Sequence, residues 1–480
     1  MVAAEYRRAL LATFGAFEAP CEETCETRDA TRGEEFAHDP HTEWAASGAM
    51  ALTGFADGPP LLAPGPLASA ARAAVDAIAG IARKLPFAHR TALESIDGPA
   101  LLGERAAIAK LRRRGTTAPG GSCHLIPCAD GWIAVNLARP EDLELVPAWL
   151  DEPLVYDSVA PPDAVAAIRS VVRSREVAPL VERAHLLGLP IAEAGRCVTP
   201  PATAVRVALR GRKRALAIER PPLVVDLSSL WAGPLSTHLL SLSGARVIKV
   251  ESTRRPDGAR RGPSDFYDLL NAGKDSVALD FGSPEGHRVL ERLVNHADIV
   301  IESSRPRALG AIGIDAETMV ASNPGLVWVS ITGYGRQTPE SERVAFGDDA
   351  GAAAGLAMAL AGPAGTPVFC GDAIADPLAG LHAALAALVA WRAGDGVLID
   401  VALRDVAAYA SGFSMPSRNA RVIERPGQSG MNLHERAFEV VVGDERATVA
   451  APRARPVTSR AARLGQHNEK VLGELQVAGC

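Results

Sequence analysis

Two aspartates, Asp372 and Asp376, stand at the mouth of an alanine- and leucine-rich run, CGDAIADPLAGLHAALAAL (370–388). The run reads as a buried helix, so a carboxylate where the chain enters a core needs a reason. A carboxylate has an unperturbed pKa near ~3.9 and is ionised at neutral pH. As a nucleophile it needs no base to activate it, unlike a serine hydroxyl. A helix N-terminus adds unpaired N–H groups and partial positive charge, both of which favour a negative group. The competing reading of Asp376 is a helix N-cap, worth about 1 kcal/mol. His382, six residues further on, reads as a satisfied core histidine.

A second set is Cys21, Cys25, His38 and His41, near the spacing of a zinc site built from two cysteines and two histidines. The histidines stand one residue too close, and the segment between, ETRDATRGEEFA, lacks the apolar set that a finger packs around its metal. The stretch reads as a solvated acidic arm, and no metal site is expected. The 7 cysteines are odd in number and scattered, which fits a reducing, cytoplasmic setting. The net charge of -6 argues against a nucleic-acid partner. No apolar run reaches the roughly 18 residues of a membrane span. The N-terminus shows no clean signal-peptide core or cleavage site.

The elements that must position the aspartates are clearest in the middle of the chain. The 480 residues, 48% hydrophobic and 22% charged, can bury a large core and suggest about three domains. PLVVDLSSL (222–230), RVIKVES, DSVALDF, DIVIES and LVWVSITGYG read as strands. AGPLSTHLLSLSGA, closed by Gly244, and PEGHRVLERLVNHA read as the helices between them. Alternation of this kind predicts a parallel sheet covered on both faces, a Rossmann-like α/β domain over 220–413. The first strand leads into SSLWAGPLSTH and not into G-x-G-x-x-G, and no Walker loop occurs, so a nicotinamide or ATP enzyme is disfavoured.

Residues 105–212 read as a small α+β domain. CHLIPCADGWIAVNL (123–137) is a hairpin turning at Asp130-Gly131, and PEDLELVPAWL and DAVAAIRSVVRSREVAPLVERAHLLG are helices. The basic run RGRKRALAIERPP (210–222) reads as a solvated linker. Residues 1–44 read as an N-terminal arm, and 414–480 as a C-terminal segment that returns to the large domain. Residues 45–104 read as a degenerate repeat of the large-domain helix region. AMALTG (49–54) and AMALAG (357–362) differ at one position, and each is followed by glycine, proline and a helix. The first copy places Ala68 and Ser69 where the second has its aspartates, and it has no carboxylate between Asp57 and Asp76.

These residues carry a family resemblance. VVDLSSLWAGPLSTHLLSLSGARVIKVES, NAGKDSVALDFGSPEGHRVLERLVNHADIVIESSRPRALGAIGI, SITGYG and GDAIADPLAGLHAALAALVAWRAGDGVLIDVAL resemble, in order and spacing, the family III CoA-transferases (the CaiB/BaiF family). That group includes formyl-CoA transferase and α-methylacyl-CoA racemase. The small domain and the tail AARLGQHNEKVLGEL (461–475) are also similar to the family, but the small domain comes first, an order permuted relative to it. The resemblance implies that Asp376 is a catalytic nucleophile. It would attack an acyl-CoA thioester to give a mixed anhydride, then an aspartyl-CoA thioester, and pass CoA to a free carboxylic acid. No permanent cofactor or metal is implied, because coenzyme A belongs to the substrate. A glycine loop, here Gly120 and Gly121, would cover the intermediate, and an interlocked homodimer is implied.

Where the family contacts coenzyme A, the candidates are Lys249, Arg254, Lys274, Arg305 and Trp231, the last standing where formyl-CoA transferase has glutamine. The arginine common after the KVE strand is replaced by Ser252, with Arg254 and Arg255 close by. The racemases' histidine is replaced by Phe346, and a two-base proton exchange needs a second positioned base. A non-catalytic acyl-CoA-binding protein and an acyl-CoA isomerase or racemase are the alternative functions.

Overall fold

The computed structural model describes residues 1–13, 39–152, 161–195, 198–215, 220–362, 365–416, 418–425 and 437–475. Cys21, Cys25 and His38 lie outside the described residues. His41 sits beside the Asp39 carboxylate, with Nδ1 2.8 Å from Oδ1, at the start of a short helix that Asp39 caps.

The small unit is a three-stranded antiparallel sheet of β1 (Cys123–Pro127), β2 (Trp132–Asn136) and β3 (Ile191–Glu193). The expected hairpin turns at Asp130-Gly131, where the Asp130 carboxylate also accepts from the Val177 amide. Helices Pro140–Leu150, Pro161–Val172 and Val177–Leu186 cover one face, around Ile133, Val146, Trp149, Ile168 and Leu180.

The large sheet has seven strands: β4 (Arg206–Arg210), β5 (Leu223–Leu227), β6 (Arg246–Ser252), β7 (Asp275–Leu279), β8 (Ile299–Glu302), β9 (Val327–Thr332) and β10 (Val397–Ala402). Their spatial order is β4-β10-β9-β8-β5-β6-β7. Strands β5 to β10 are parallel and follow the doubly wound order 3-2-1-4-5-6, while β4 is an antiparallel edge. In such a sheet the ligand crevice lies beyond the carboxyl ends of the two central strands, here β5 and β8, where the order reverses.

Two sequence readings change at the edges. Arg206–Arg210, placed at the end of the small unit, joins the large sheet. The adjoining linker is pinned and not free, because Arg214 and Arg220 both pair with the buried Asp298. The N-terminal arm also begins as structure. Val2–Thr13 is a helix whose Tyr6 and Leu10 are buried in the large core, and Tyr6 Oη lies 3.0 Å from His382 Nε2.

Helix Ala375–Arg392 runs through the middle of that core and is buried almost all round. It packs on Ala232–Leu242 at Gly380, where a Cβ would lie 2.5 Å from the Ala232 carbonyl oxygen, so the helices approach closely because the residue is glycine. On its other side lies Leu67–Ala82, the helix of the first copy. The chain ends with a small antiparallel sheet of β11 (Ala420–Glu424), β12 (Phe438–Val442) and β13 (Glu445–Thr448), then helix Asn468–Glu474. This last helix docks on β7, where Asn468 Oδ1 accepts from the Ala278 amide and buries Val471.

Among the described residues no helix is long and apolar enough to cross a membrane.

Candidate active site

Asp376 is the second residue of helix Ala375–Arg392, and the residue is partly exposed. The helix N-cap is Ile374 and carries no side-chain cap, so the capping role is not the one Asp376 fills. The turn before it is left-handed at Gly371 (φ 65) and again at Ala373 (φ 43). A left-handed alanine costs roughly 1–2 kcal/mol, and its surroundings must hold it. Two buried side chains do so: the Ala373 amide donates to Asp348 Oδ1 at 2.8 Å, and the Gly371 amide donates to Thr53 Oγ1 at 2.8 Å. Thr53 belongs to the AMALTG of the first copy.

Asp348 and Asp349 enter from helix Gly347–Ala353, which packs between β2, β3 and the Ala375–Arg392 helix. Its first residue must be glycine, because a Cβ on Gly347 would lie 2.4 Å from the Ala373 oxygen and 2.5 Å from Asp376 Oδ2. Asp372 is fully buried and accepts two hydrogen bonds from Arg105, at 2.8 Å from Nε and 2.5 Å from Nη2. Asp349 accepts from Asn136 Nδ2 of the small unit at 2.8 Å. Three of these aspartates, Asp348, Asp372 and Asp376, thus bear on one arginine.

Burial pushes Asp376 up to about 7; the Arg105 charge and the Gly347 amide oppose the rise, and Asp348 and Asp372 add to it. Burial with the Asp372 charge likewise raises Asp348 to about 7. Burial also raises Asp349 well above the usual range. Asp376 is the most exposed of the four. Among the described residues no side chain donates to it, so it is a carboxylate available to an incoming molecule.

The glycines of the expected loop stand against two arginines of the same chain. A Cβ on Gly120 would stand 3.0 Å from Arg105 Nη2, and one on Gly121 would stand 3.1 Å from Arg114 Nη1. Gly120 therefore packs on the arginine that holds Asp372. Trp231 is buried at the start of Ala232–Leu242, with the Arg105 guanidinium 5.6 Å from the centre of its ring. His382 is a core residue, as expected. Its Nδ1 lies 2.7 Å from the Leu378 carbonyl, and burial lowers it to about 4.

The cation candidates divide. Lys249 is buried, donates to the Ser228 carbonyl and pairs with Asp257 at 3.0 Å. Lys274 is buried against Asp226 at 3.1 Å, with Thr237 and Asn271 also accepting from it. Neither is free for a phosphate, and this corrects the sequence reading: both ammonium groups are spent inside the sheet. Their partners brace the loop after β5, where Asp257 also accepts from the amide of Leu230, another left-handed residue (φ 69). Arg254 is exposed and pairs with Asp280.

Arg305 instead lines a cleft of about 680 Å³ between the small unit and the sheet, together with Arg139, His185, Arg255 and Arg307. The cleft opens beside the β5–β8 crevice, where the Ser229 amide donates to Ser303 Oγ. Burial and the charge of Arg307 lower the Arg305 guanidinium, while Arg139 and Arg255 push the same way.

Sequence reasoning missed Asp348, Asp349, Arg105 and Thr53. The GDD triplet directly follows Phe346 and was the available signal. Arg105 and Thr53 carry no local pattern, because only the tertiary fold brings them to Asp372 and Gly371.

Residues 222–469 match the family described as CoA-transferase family III. The chain is 34% identical over 205 residues to the succinyl-CoA–D-citramalate CoA-transferase of Chloroflexus aurantiacus, covering 39% of this chain and 51% of that protein. It is 35% identical over 208 residues to the succinate–glutarate CoA-transferase of Agrobacterium fabrum, covering 39% and 52%. A solved CaiB/BaiF family protein from Brucella suis aligns over 41% of this chain and 55% of its own, at 34% identity and a TM-score of 0.37. The chain spans about half the length of the curated relatives it matches. With the family match covering more than half of its 480 residues, the chain belongs to CoA-transferase family III.

Proposed function

We propose that the chain is a CoA-transferase that moves CoA between carboxylic acids, with Asp376 as its covalent nucleophile. The observation that carries this reading is the partly exposed Asp376, whose carboxylate has no side-chain donor among the described residues, next to a strained turn in a chain of this family. An Asp376 oxygen attacks the thioester carbon. The C–S bond breaks, leaving an acyl–aspartyl anhydride and a CoA thiolate. The thiolate attacks Cγ of Asp376, the anhydride C–O bond breaks, and the first acid leaves as its carboxylate. The incoming carboxylate takes CoA from the aspartyl thioester by the same steps in reverse. One thioester replaces another, so the exchange is close to balanced and needs no redox partner.

The anhydride must be kept from water, and the loop carrying Gly120 and Gly121 is suited to cover it, within the chain or across a homodimer. The arginines around Arg305 suit the phosphates of the nucleotide end of CoA, since guanidinium groups bind phosphate through paired hydrogen bonds. The Trp231 side is suited to the acyl end. The unit order, small before large, fits a rearranged version of the family, and a cytoplasmic setting fits its free thiols. The names of the relatives make short dicarboxylates the first acids to try.

The test is incubation with acyl-CoA and an isotopically labelled free acid. Label appearing in the CoA thioester pool supports transfer. Tight binding without exchange would make the protein a binder. Solvent deuterium entering the α-carbon would make it an isomerase or racemase.

A further inference from the structure

We propose that Arg105 binds the carboxylate of the acid substrate beside Asp376. The inference rests on the transferase reading only in calling that acid a substrate. The site carries Asp348, Asp372 and Asp376, and an anion that must react there meets repulsion from all three unless a cation receives it. The charges of all three bear on Arg105, and it is the cation among the groups that bear on Asp376.

Its geometry leaves one edge unused. Nε and Nη2 are committed to Asp372, which fixes the plane and direction of the guanidinium. Nη1 has no acceptor among the described residues, and the side chain is 31% exposed although its partner Asp372 is fully buried. A guanidinium held rigidly by one carboxylate presents its remaining N–H groups at low entropic cost. Beside it lies the ring of Trp231, whose buried indole N–H also has no acceptor among the described residues. The approach is kept open by Gly120, where a Cβ would press on Nη2 at 3.0 Å. Here a donor edge is left over on an arginine whose charge reaches Asp376.

The test uses the full chain and the Arg105→Gln/Asp372→Asn double variant, which exchanges the ion pair for an amide pair and leaves no charge at Asp372 without its partner. Calorimetry measures binding of acetate, succinate and glutarate, with free CoA as the control ligand. The expected result is at least one acid bound tenfold or more weakly by the double variant, with CoA affinity within about twofold of the parent. Parent protein that binds none of the acids would overturn the proposal. So would a variant that keeps acid affinity, or one that loses acid and CoA affinity alike, which marks a structural role. If the parent binds acid through Arg105 yet exchanges no CoA, Arg105 stands and the transferase reading fails.

Discussion

Helices Leu67–Ala82 and Ala375–Arg392 lie side by side in one core and are entered by similar sequences, yet their carboxylates are treated in opposite ways. At the first, Glu43 is buried and fully answered: Ser69 donates to Oε2, and Arg72 Nε stands 2.5 Å from Oε1. Gly65, next to the proline that opens this helix, has no space for a side chain, since a Cβ would lie 2.1 Å from the Ser411 oxygen. At the second, Asp376 has a backbone amide and a share of an arginine that Asp372 already holds. A buried carboxylate that is satisfied is part of a scaffold; one that is raised in pKa and left open is a candidate for chemistry. The two copies are also coupled. Thr53 of the first holds the turn of the second, and Arg105, just beyond the first copy, holds Asp372. The first copy thus buttresses the turn that carries Asp376.

The comparison breaks most severely at Asp376. Asp376→Asn should lower transfer by about 10⁴-fold or more, the scale of losing a covalent nucleophile. Ser69→Ala should leave turnover near the parent value while costing about 1–3 kcal/mol of stability, because a Glu43 oxygen loses its donor. Exchange assays and urea titrations on both variants check this, and equal losses of turnover would erase the distinction. Next in size is Gly347→Ala. Its methyl group overlaps both the Ala373 oxygen and Asp376, so about 1–3 kcal/mol of overpacking is expected, together with a large fall in kcat and little change in KM for acyl-CoA. A Gly347→Ala protein of parental activity would show that the turn has slack.

The pH dependence sharpens the contrast. Folded Asp376 and Asp348 titrate near 7, well above an unfolded aspartate. The folded chain therefore holds more protons than the unfolded one between about pH 4 and 7. Their contribution to stability is fully present below that interval and is lost as pH rises through it. The ionised, nucleophilic fraction of Asp376 grows over the same range, so kcat/KM should rise through about pH 7 while stability falls. Asp376→Asn should flatten the stability slope, read from urea midpoints between about pH 5 and 8. An unchanged slope in that variant would contradict the assignment of the raised carboxyl.

Much of this was legible in the sequence, and the reasons are physical. The parallel strands announced themselves because both of their faces are buried, which leaves near-continuous apolar runs such as RVIKVES and VWVSIT. Asp376 stood out as a charge at the entrance to an alanine-leucine helix. The edge strand Arg206–Arg210, with alternating exposure, read as the end of the small domain. Lys249 and Lys274 stood as candidates to contact coenzyme A because a sequence does not show the Asp226 and Asp257 that pair with them from other elements. The small sheet of β11 to β13 went unread, since its short strands carry charged residues on their open face.

Smaller effects are expected at the loop. Gly120→Val should raise acyl-CoA hydrolysis relative to transfer by several-fold, by pushing on Arg105 and opening the cover. Gly121→Val, at φ 87, should act similarly through backbone strain. A ratio unchanged in both variants would remove the covering role. The smallest effect belongs to the first copy: Ser69→Asp in an Asp376→Ala background should restore no transfer, because the new carboxylate would face Glu43.

The central claim is that the open carboxylate of Asp376, and not the satisfied Glu43 beside the first copy's helix, forms the covalent bond. Protein mixed with acyl-CoA, quenched with hydroxylamine or borohydride and digested, gives that answer by peptide mass spectrometry. The account predicts a hydroxamate or a reduced side chain at Asp376, with Glu43 and its neighbours unmodified. An unlabelled Asp376 under conditions where CoA exchange proceeds, or label on another carboxylate, would contradict it.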